Sequence, residues 1–301
     1  MVTQGSASQT SARPVARLLV LDFDGTMTDA ESEGAPYRQG VLEDVALLIG
    51  RSYADVVAAA REVEAEIAAD PQRHGWMFGG RIVAPATVDP YLRVMPVARR
   101  LLDQAGRFLD ERDRAGLLEG LLYKYNYRKT TIAFQPGAGA FLHAMGGKPV
   151  HIVTNSHRDA VQDKIRTLGG GGDGGALAWL VERVHGSARK FEVDDALQQV
   201  PESMALPGLD RPVLLRRHAY FQVLDGLRRA AGCEWSEVVV CGDIFELDLA
   251  LPFALGARVG LMANAFTPPW ERALLADHPR GAVLDSVPAI SAFCGWGEVT
   301  A

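Results

Sequence analysis

The order of residues predicts an α/β protein: a Rossmann-like parallel sheet with an α-helical unit inserted early. Three observations carry that reading. An apolar run at 18–21 opens directly into a Gly-Thr turn, as a buried strand does. From about residue 36 to 129 the helical period takes over and Val/Ile alternation nearly vanishes. After Gln135-Pro-Gly, strand-like and helix-like stretches alternate again, the pattern of a parallel sheet covered by helices. At roughly 150 residues per domain, a chain of 301 residues has room for two units. The expected division is a disordered tail at 1–16, an α/β core at 17–29 and 134–301, and an inserted helical cap at 30–133.

Taken in order, residues 17–24 form the first strand and its turn. Inside the insert, Ser52-Tyr-Ala-Asp55 is a helix start, a serine cap with an acid three residues on. That helix carries Val56, Ala60, Val63 and Ile67 and stops at Asp70-Pro71. Further helices fit 90–105 and 110–127, with a Gly/aromatic loop at 74–80. In the second core block a helix ends at 141–145, a strand runs over 149–154 and a helix over 157–168. The glycine-rich run at 169–175 lacks the Gly-Lys-Ser/Thr ending of a phosphate loop and reads as a flexible connection. A strand is expected at 180–184, and an extra hairpin from Phe191-Glu-Val and Val213-Leu-Leu-Arg. A helix at 219–230, a strand at 238–241, a helix at 249–255 and a strand at 259–262 complete the pattern.

Composition narrows the function classes. Hydrophobic residues at 48% and charged residues at 23% exclude a mainly disordered chain. A net charge of −6 argues against nucleic acid or an anionic membrane as the main partner. No apolar stretch approaches the roughly 18 residues of a membrane span, and the first residues lack the apolar segment of a signal peptide. The three cysteines, Cys233, Cys241 and Cys294, form no C-x-x-C pair. A structural zinc site is disfavoured, and a reducing, cytoplasmic location is expected.

Two segments concentrate carboxylates where core strands should end: Asp22-Phe-Asp24-Gly-Thr-Met-Thr-Asp29 and Cys241-Gly-Asp243-Ile-Phe-Glu-Leu-Asp248. Ligands of open α/β sheets bind outside the carboxyl ends of strands. Grouped carboxylates repel one another and are costly to bury unless a cation neutralises them. A hard, oxygen-seeking divalent ion such as Mg²⁺ is the economical solution. The bland alternative, acids that cap helices or decorate turns, fits one aspartate better than two clusters.

At these residues the chain resembles the haloacid dehalogenase-like (HAD) superfamily. Asp22-Phe-Asp24-Gly-Thr is similar to its first signature. Val150-His-Ile-Val-Thr154-Asn155 is similar to the second, and Gly242-Asp243 followed by Asp248 to the fourth. The resemblance covers about half the chain, and its first motif is the most specific. It implies a Mg²⁺-dependent phosphomonoester hydrolase acting on a small phosphorylated metabolite through an aspartyl-phosphate. Asp22 would be the nucleophile, and Asp24 the acid that protonates the leaving oxygen and then takes a proton from water. Thr154 and Asn155 would bind the phosphoryl group, although Thr154 also fits as a helix cap. Asp22, the backbone carbonyl of Asp24, Asp243 and Asp248 would surround the metal. Asp248 would act through metal-bound water or through the catalytic lysine. The third signature, a lysine, is ambiguous: Lys190 is favoured over Arg211, and Lys164 reads as a solvated mid-helix charge.

The insert's position implies a C1-type cap, with Trp76, Met77, Phe78 and Arg81 as candidate substrate contacts. The stretch Tyr123-Lys-Tyr-Asn-Tyr-Arg-Lys129 is basic and aromatic, but its tyrosines fit a core role better. His151 reads as a core residue or one lying behind the site. Because haloacid dehalogenases lack the second aspartate, Asp24 favours phosphoryl chemistry. A phosphomutase using the same residues, and a non-catalytic binding protein on the same scaffold, remain open alternatives.

Overall fold

The computed structural model describes residues 14–126 and 131–299. Strand β1 (Leu18–Leu21) is buried on both faces because its side chains alternate. Leu19 and Leu21 enter one apolar cluster, Leu18 and Val20 the other. That is why its sequence is a continuous apolar run.

The insert follows. Helix α1 (Ala30–Ile49) begins at Asp29, whose carboxylate accepts the Ser32 N–H at 3.1 Å. It therefore starts before the helical period becomes readable, and Pro36 lies inside it. Helix α2 (Tyr53–Ala69) has the expected Ser52 cap, which accepts the Asp55 N–H at 3.2 Å. Strands β2 (Gly75–Phe78) and β3 (Arg81–Pro85) form an antiparallel hairpin. Helices α3 (Pro90–Gln104) and α4 (Glu111–Asn126) close the unit. Tyr37, Val41, Val56, Val63, Val94 and Leu101 belong to an apolar cluster separate from those of the sheet.

After the insert come α5 (Ala138–Ala144), β4 (Val150–Val153), α6 (Arg158–Leu168), α7 (Ala178–Val181) and β5 (Val184–His185). A second hairpin, β6 (Ser203–Leu206) and β7 (Leu209–Leu214), precedes α8 (His218–Ala230) and β8 (Val238–Gly242). The chain ends with α9 (Ala250–Leu255), β9 (Arg258–Met262), α10 (Pro269–Ala276), β10 (Gly281–Leu284) and α11 (Ala289–Cys294). The sheet order is β10-β9-β8-β1-β4-β5, and every pairing in it is parallel. The chain runs outward from β1 in one direction through β4 and in the other through β8. The carboxyl ends of these three strands thus meet at the point where strand order reverses, the usual ligand crevice of such sheets.

Four expectations need correction. The 74–80 segment is not a loop but one arm of the β2–β3 hairpin. Gly79 and Gly80 have φ of 55° and 76°, the pair of left-handed residues that a tight two-residue hairpin turn demands. The expected strand at 180–184 is the end of helix α7 and a turn, with only Val184–His185 in the sheet; a short apolar run satisfies either geometry. The extra hairpin exists, but its first strand is Ser203–Leu206 rather than the 191–193 segment. Phe191 instead packs against Trp76 and Phe78, with ring centroids 5.0 and 4.7 Å away. Of the tail, 1–13 lies outside the described residues, while Ala16 is buried and donates its N–H to Cys294 at 2.8 Å. Among the described residues no helix is long and apolar enough to cross a membrane.

Candidate active site

The three strand ends deliver the predicted residues to one place. Asp22 follows β1, and its backbone N–H donates to Cys241 O at 2.8 Å, which ties it to β8. Asp243 follows β8 directly. Asp248 lies in a π-helical turn, Phe245–Leu249. Such wide turns absorb an extra residue and recur at functional sites. It brings Asp248 back toward Asp243, so that its carboxylate accepts the Ile244 N–H at 3.0 Å. Asp22, Asp243 and Asp248 are all buried and present oxygens within 4.8 Å of one another. The Gly25 backbone also approaches closely, since a Cβ there would lie 2.2 Å from Asp243 Oδ2.

Lys190 completes this group. Its ammonium donates to Asp22 Oδ1 at 2.6 Å and to Asp248 Oδ1 at 2.8 Å, and the side chain is only 1% exposed. The loop that carries it holds Ser187 and Arg189 at φ of 53° and 51°. Such strain in non-glycine residues costs about 1 kcal/mol or more each and persists only where the surroundings impose it. Here they do: the Lys190 N–H donates to Asn155 Oδ1 at 2.7 Å, and the buried Arg217 donates to Lys190 O. Arg211 is elsewhere, donating to both carboxylate oxygens of Glu246 at 2.8 and 2.6 Å and to Pro71 O.

The electrostatics show what the carboxylates lack. Burial pushes Asp22 up to about 7, helped by Asp248 and Asp24, even though Lys190 pulls the other way. Burial and the Asp248 charge push Asp243 well above the carboxylate range. Burial alone would lower Lys190, but Asp22 and Asp248 more than offset it and hold the ammonium charged. One ammonium among three close carboxylates leaves negative charge uncompensated. An all-oxygen donor set of this kind fits a hard divalent cation.

Thr154, at the end of β4, is 2% exposed, and its Oγ1 accepts the Ser156 N–H at 3.1 Å. It therefore caps the turn into α6 while lining the cavity that holds Asp22 and Asp243. Asp24 lies beside these residues with its carboxylate turned away from the metal-type cluster. It accepts from Ser156 Oγ at 2.6 Å and from Lys164 Nζ at 2.7 Å.

No protein-family model matches the chain, and no curated protein matches it. Solved structures do. The magnesium-bound HAD-hydrolase YfnB of Bacillus subtilis superposes with a TM-score of 0.54 at 15% identity, over 93% of this chain and 99% of that one. A predicted phosphoglycolate phosphatase of Haemophilus somnus gives a TM-score of 0.50 at 15% identity, over 92% and 97%. The chain has the haloacid dehalogenase-like fold.

Within the haloacid dehalogenase-like fold, several residues that pattern reading misses line or brace the cavity. Lys164 is not the solvated charge its mid-helix position suggests. It bridges Asp24 to the buried Glu33 of α1, 2.9 Å away. Arg217 is fully buried, donates to Val83 O at 2.9 Å as well as to Lys190 O, and so joins the β2–β3 hairpin to the lysine loop. Its burial lowers it to about 10. Trp76 lines the Asp22 cavity, whereas Arg81 pairs with Asp195 outside it. Tyr125 packs within the insert and donates to Asp44 at 2.9 Å; 127–129 lies outside the described residues. His151 stands 3.2 Å from His185 across neighbouring strands, away from the carboxylates, and burial lowers it to about 4.

Proposed function

We propose that this protein is a Mg²⁺-dependent phosphomonoester hydrolase that acts on a small phosphorylated metabolite, with the insert as a cap over its site. The observation that carries the reading is the ammonium of Lys190 held between Asp22 and Asp248, with Asp24 facing the same cavity. Asp22 attacks phosphorus; the bond to the leaving oxygen breaks, and the phosphoryl group is held as an aspartyl-phosphate. Asp24 gives its proton to the departing alkoxide and then removes one from the water that cleaves the acyl phosphate. Water attack at phosphorus returns inorganic phosphate and free Asp22. Lys190 positions Asp22 and offsets charge on the phosphoryl oxygens. Thr154, with the backbone beside Asn155, orients that group.

Asp22, Asp243 and the main chain at Asp24 would hold the cation. Asp248, the third carboxylate of this group, also holds Lys190 and so positions the lysine beside the cation. A bound Mg²⁺ would supply Lewis-acid neutralisation of the carboxylate and phosphoryl charge. Asp24 is the group that separates this reading from dehalogenation, which needs no proton donor for a departing halide. The test is phosphate release from a panel of phosphomonoesters in the presence of Mg²⁺. Activity is expected with the native protein and absent in Asp22→Asn. No release from any member overturns the reading.

A further inference from the structure

Two cavities meet at Asp24, Asp89, Tyr91, Asn155 and Ser156. The inner one, about 160 Å³, contains the Asp22 carboxylate and has room for little beyond a phosphoryl group. The outer one, about 490 Å³, receives whatever alcohol departs. That volume suits an organic group of sugar size or larger and far exceeds a two-carbon acid. Tyr91, Ile132, Ala160 and Val161 give it an apolar side. Its acidic lining residues are Asp24, Glu33 and Asp89, and its basic ones are His157 and Lys164. Among the described residues its one ammonium, Lys164, is already held between Asp24 and Glu33.

Asp89 stands at the junction of the two. Its Oδ1 caps α3 by accepting the N–H groups of Tyr91 at 2.7 Å and Leu92 at 3.1 Å. Its Oδ2 has no hydrogen-bond partner among the described residues. Burial pushes this carboxyl up to about 6, with Asp24 and Glu31 adding to the effect. An under-partnered acceptor here attracts hydroxyl hydrogens and repels a second anion.

We propose that the leaving group is a neutral, hydroxyl-rich alcohol of sugar or polyol size, and that Asp89 selects it by accepting a hydroxyl hydrogen on Oδ2. The inference rests on the phosphatase reading for the chemistry, but its test is binding. Asp22→Asn protein with Mg²⁺ is titrated calorimetrically with glucose 6-phosphate, sorbitol 6-phosphate, phosphoglycolate and 3-phosphoglycerate. The first two should bind at least about tenfold more tightly than the two acids, about 1.4 kcal/mol. Adding Asp89→Asn, which keeps the α3 cap, should erase that preference, chiefly by strengthening 3-phosphoglycerate. Equal or tighter binding of the acids, no binding of any of the four, or a preference untouched by Asp89→Asn overturns the proposal. Because no turnover is required, these outcomes are distinct from a failure of the native protein to release phosphate.

Discussion

Two lysines stand in this site, each between two carboxylates, and they differ in what holds them. Lys190 bridges Asp22 and Asp248 and is 1% exposed; all three residues belong to loops of the sheet. Lys164 bridges Asp24 and Glu33 and is 21% exposed, and Glu33 belongs to the insert. The first bridge is made by core side chains alone, although Arg217 also ties the Lys190 loop to Val83 of the insert's hairpin. The second exists only while Glu33 of α1 stays within reach of Lys164 on α6. The ion pairs of the nucleophile thus come from the core, whereas Asp24, held by Ser156 of the core, shares its lysine with a carboxylate of the insert.

The largest expected effect comes from breaking the core bridge. Lys190→Met should lower kcat by about a thousandfold or more, the scale of losing a charged group at a phosphoryl centre. Arg211→Ala should act mainly on stability, because it leaves Glu246 buried and unpaired. Comparable, mild losses of kcat in both would mean that the Lys190 bridge is not part of catalysis.

Mg²⁺ should sharpen the contrast without any turnover. At a hundredfold excess over its Kd, an ion bound only by the folded state adds about 2.7 kcal/mol. In a thermal melt, that should raise Tm by about 4 °C for a chain of this length. The shift should vanish in Asp243→Asn and survive in Lys164→Met. A full shift in Asp243→Asn would remove Asp243 from the metal site.

Glu33→Gln breaks the bridge that crosses to the insert and should reduce kcat by about tenfold, with inner-cavity metal binding intact. The Mg²⁺-induced melting shift provides the control. Loss of both together would show that the two bridges are not separable.

The smallest effects are on pH dependence. The carboxyl of Asp89 is raised from 3.8 to about 6 in the folded protein, so folding favours its protonated form. The native protein therefore loses stability as pH rises from about 4 through 6. Asp89→Asn should be more stable than the native protein at pH 8 and indistinguishable from it below pH 4. His151 has the opposite sense: held at about 4 rather than 6.5, it withdraws stability as pH falls through that interval, and His151→Gln should flatten that part of the curve.

What was legible in the sequence follows the same division. Asp22, Asp24, Thr154 and Asp243 each follow a short apolar run, so chain position alone places them at strand ends, and Asp248 is found by its spacing from Asp243. Lys190 is favoured over Arg211 from its place after a strand, but the β6–β7 hairpin lengthens that stretch of chain and blurs the spacing that would single it out. Lys164, Glu33 and Asp89 carry no such marker. A charge within a helix is indistinguishable from a solvated one until tertiary packing sets an opposing charge against it. An aspartate before Pro90 is fully explained as a cap, and nothing local announces that it also lines a cavity. The β2–β3 hairpin was readable in principle, since Gly79-Gly80 between apolar stretches is a turn signal.

Arg217 makes its contacts to main-chain oxygens, those of Lys190, Val83 and Leu214. Carbonyls of that kind persist whatever side chain their residue carries. Substitutions at the three accepting positions can therefore accumulate without deleting an acceptor, while the guanidinium has no substitute of equal reach and number of donors. The join between hairpin and lysine loop is robust to drift on one side and depends on a single codon on the other.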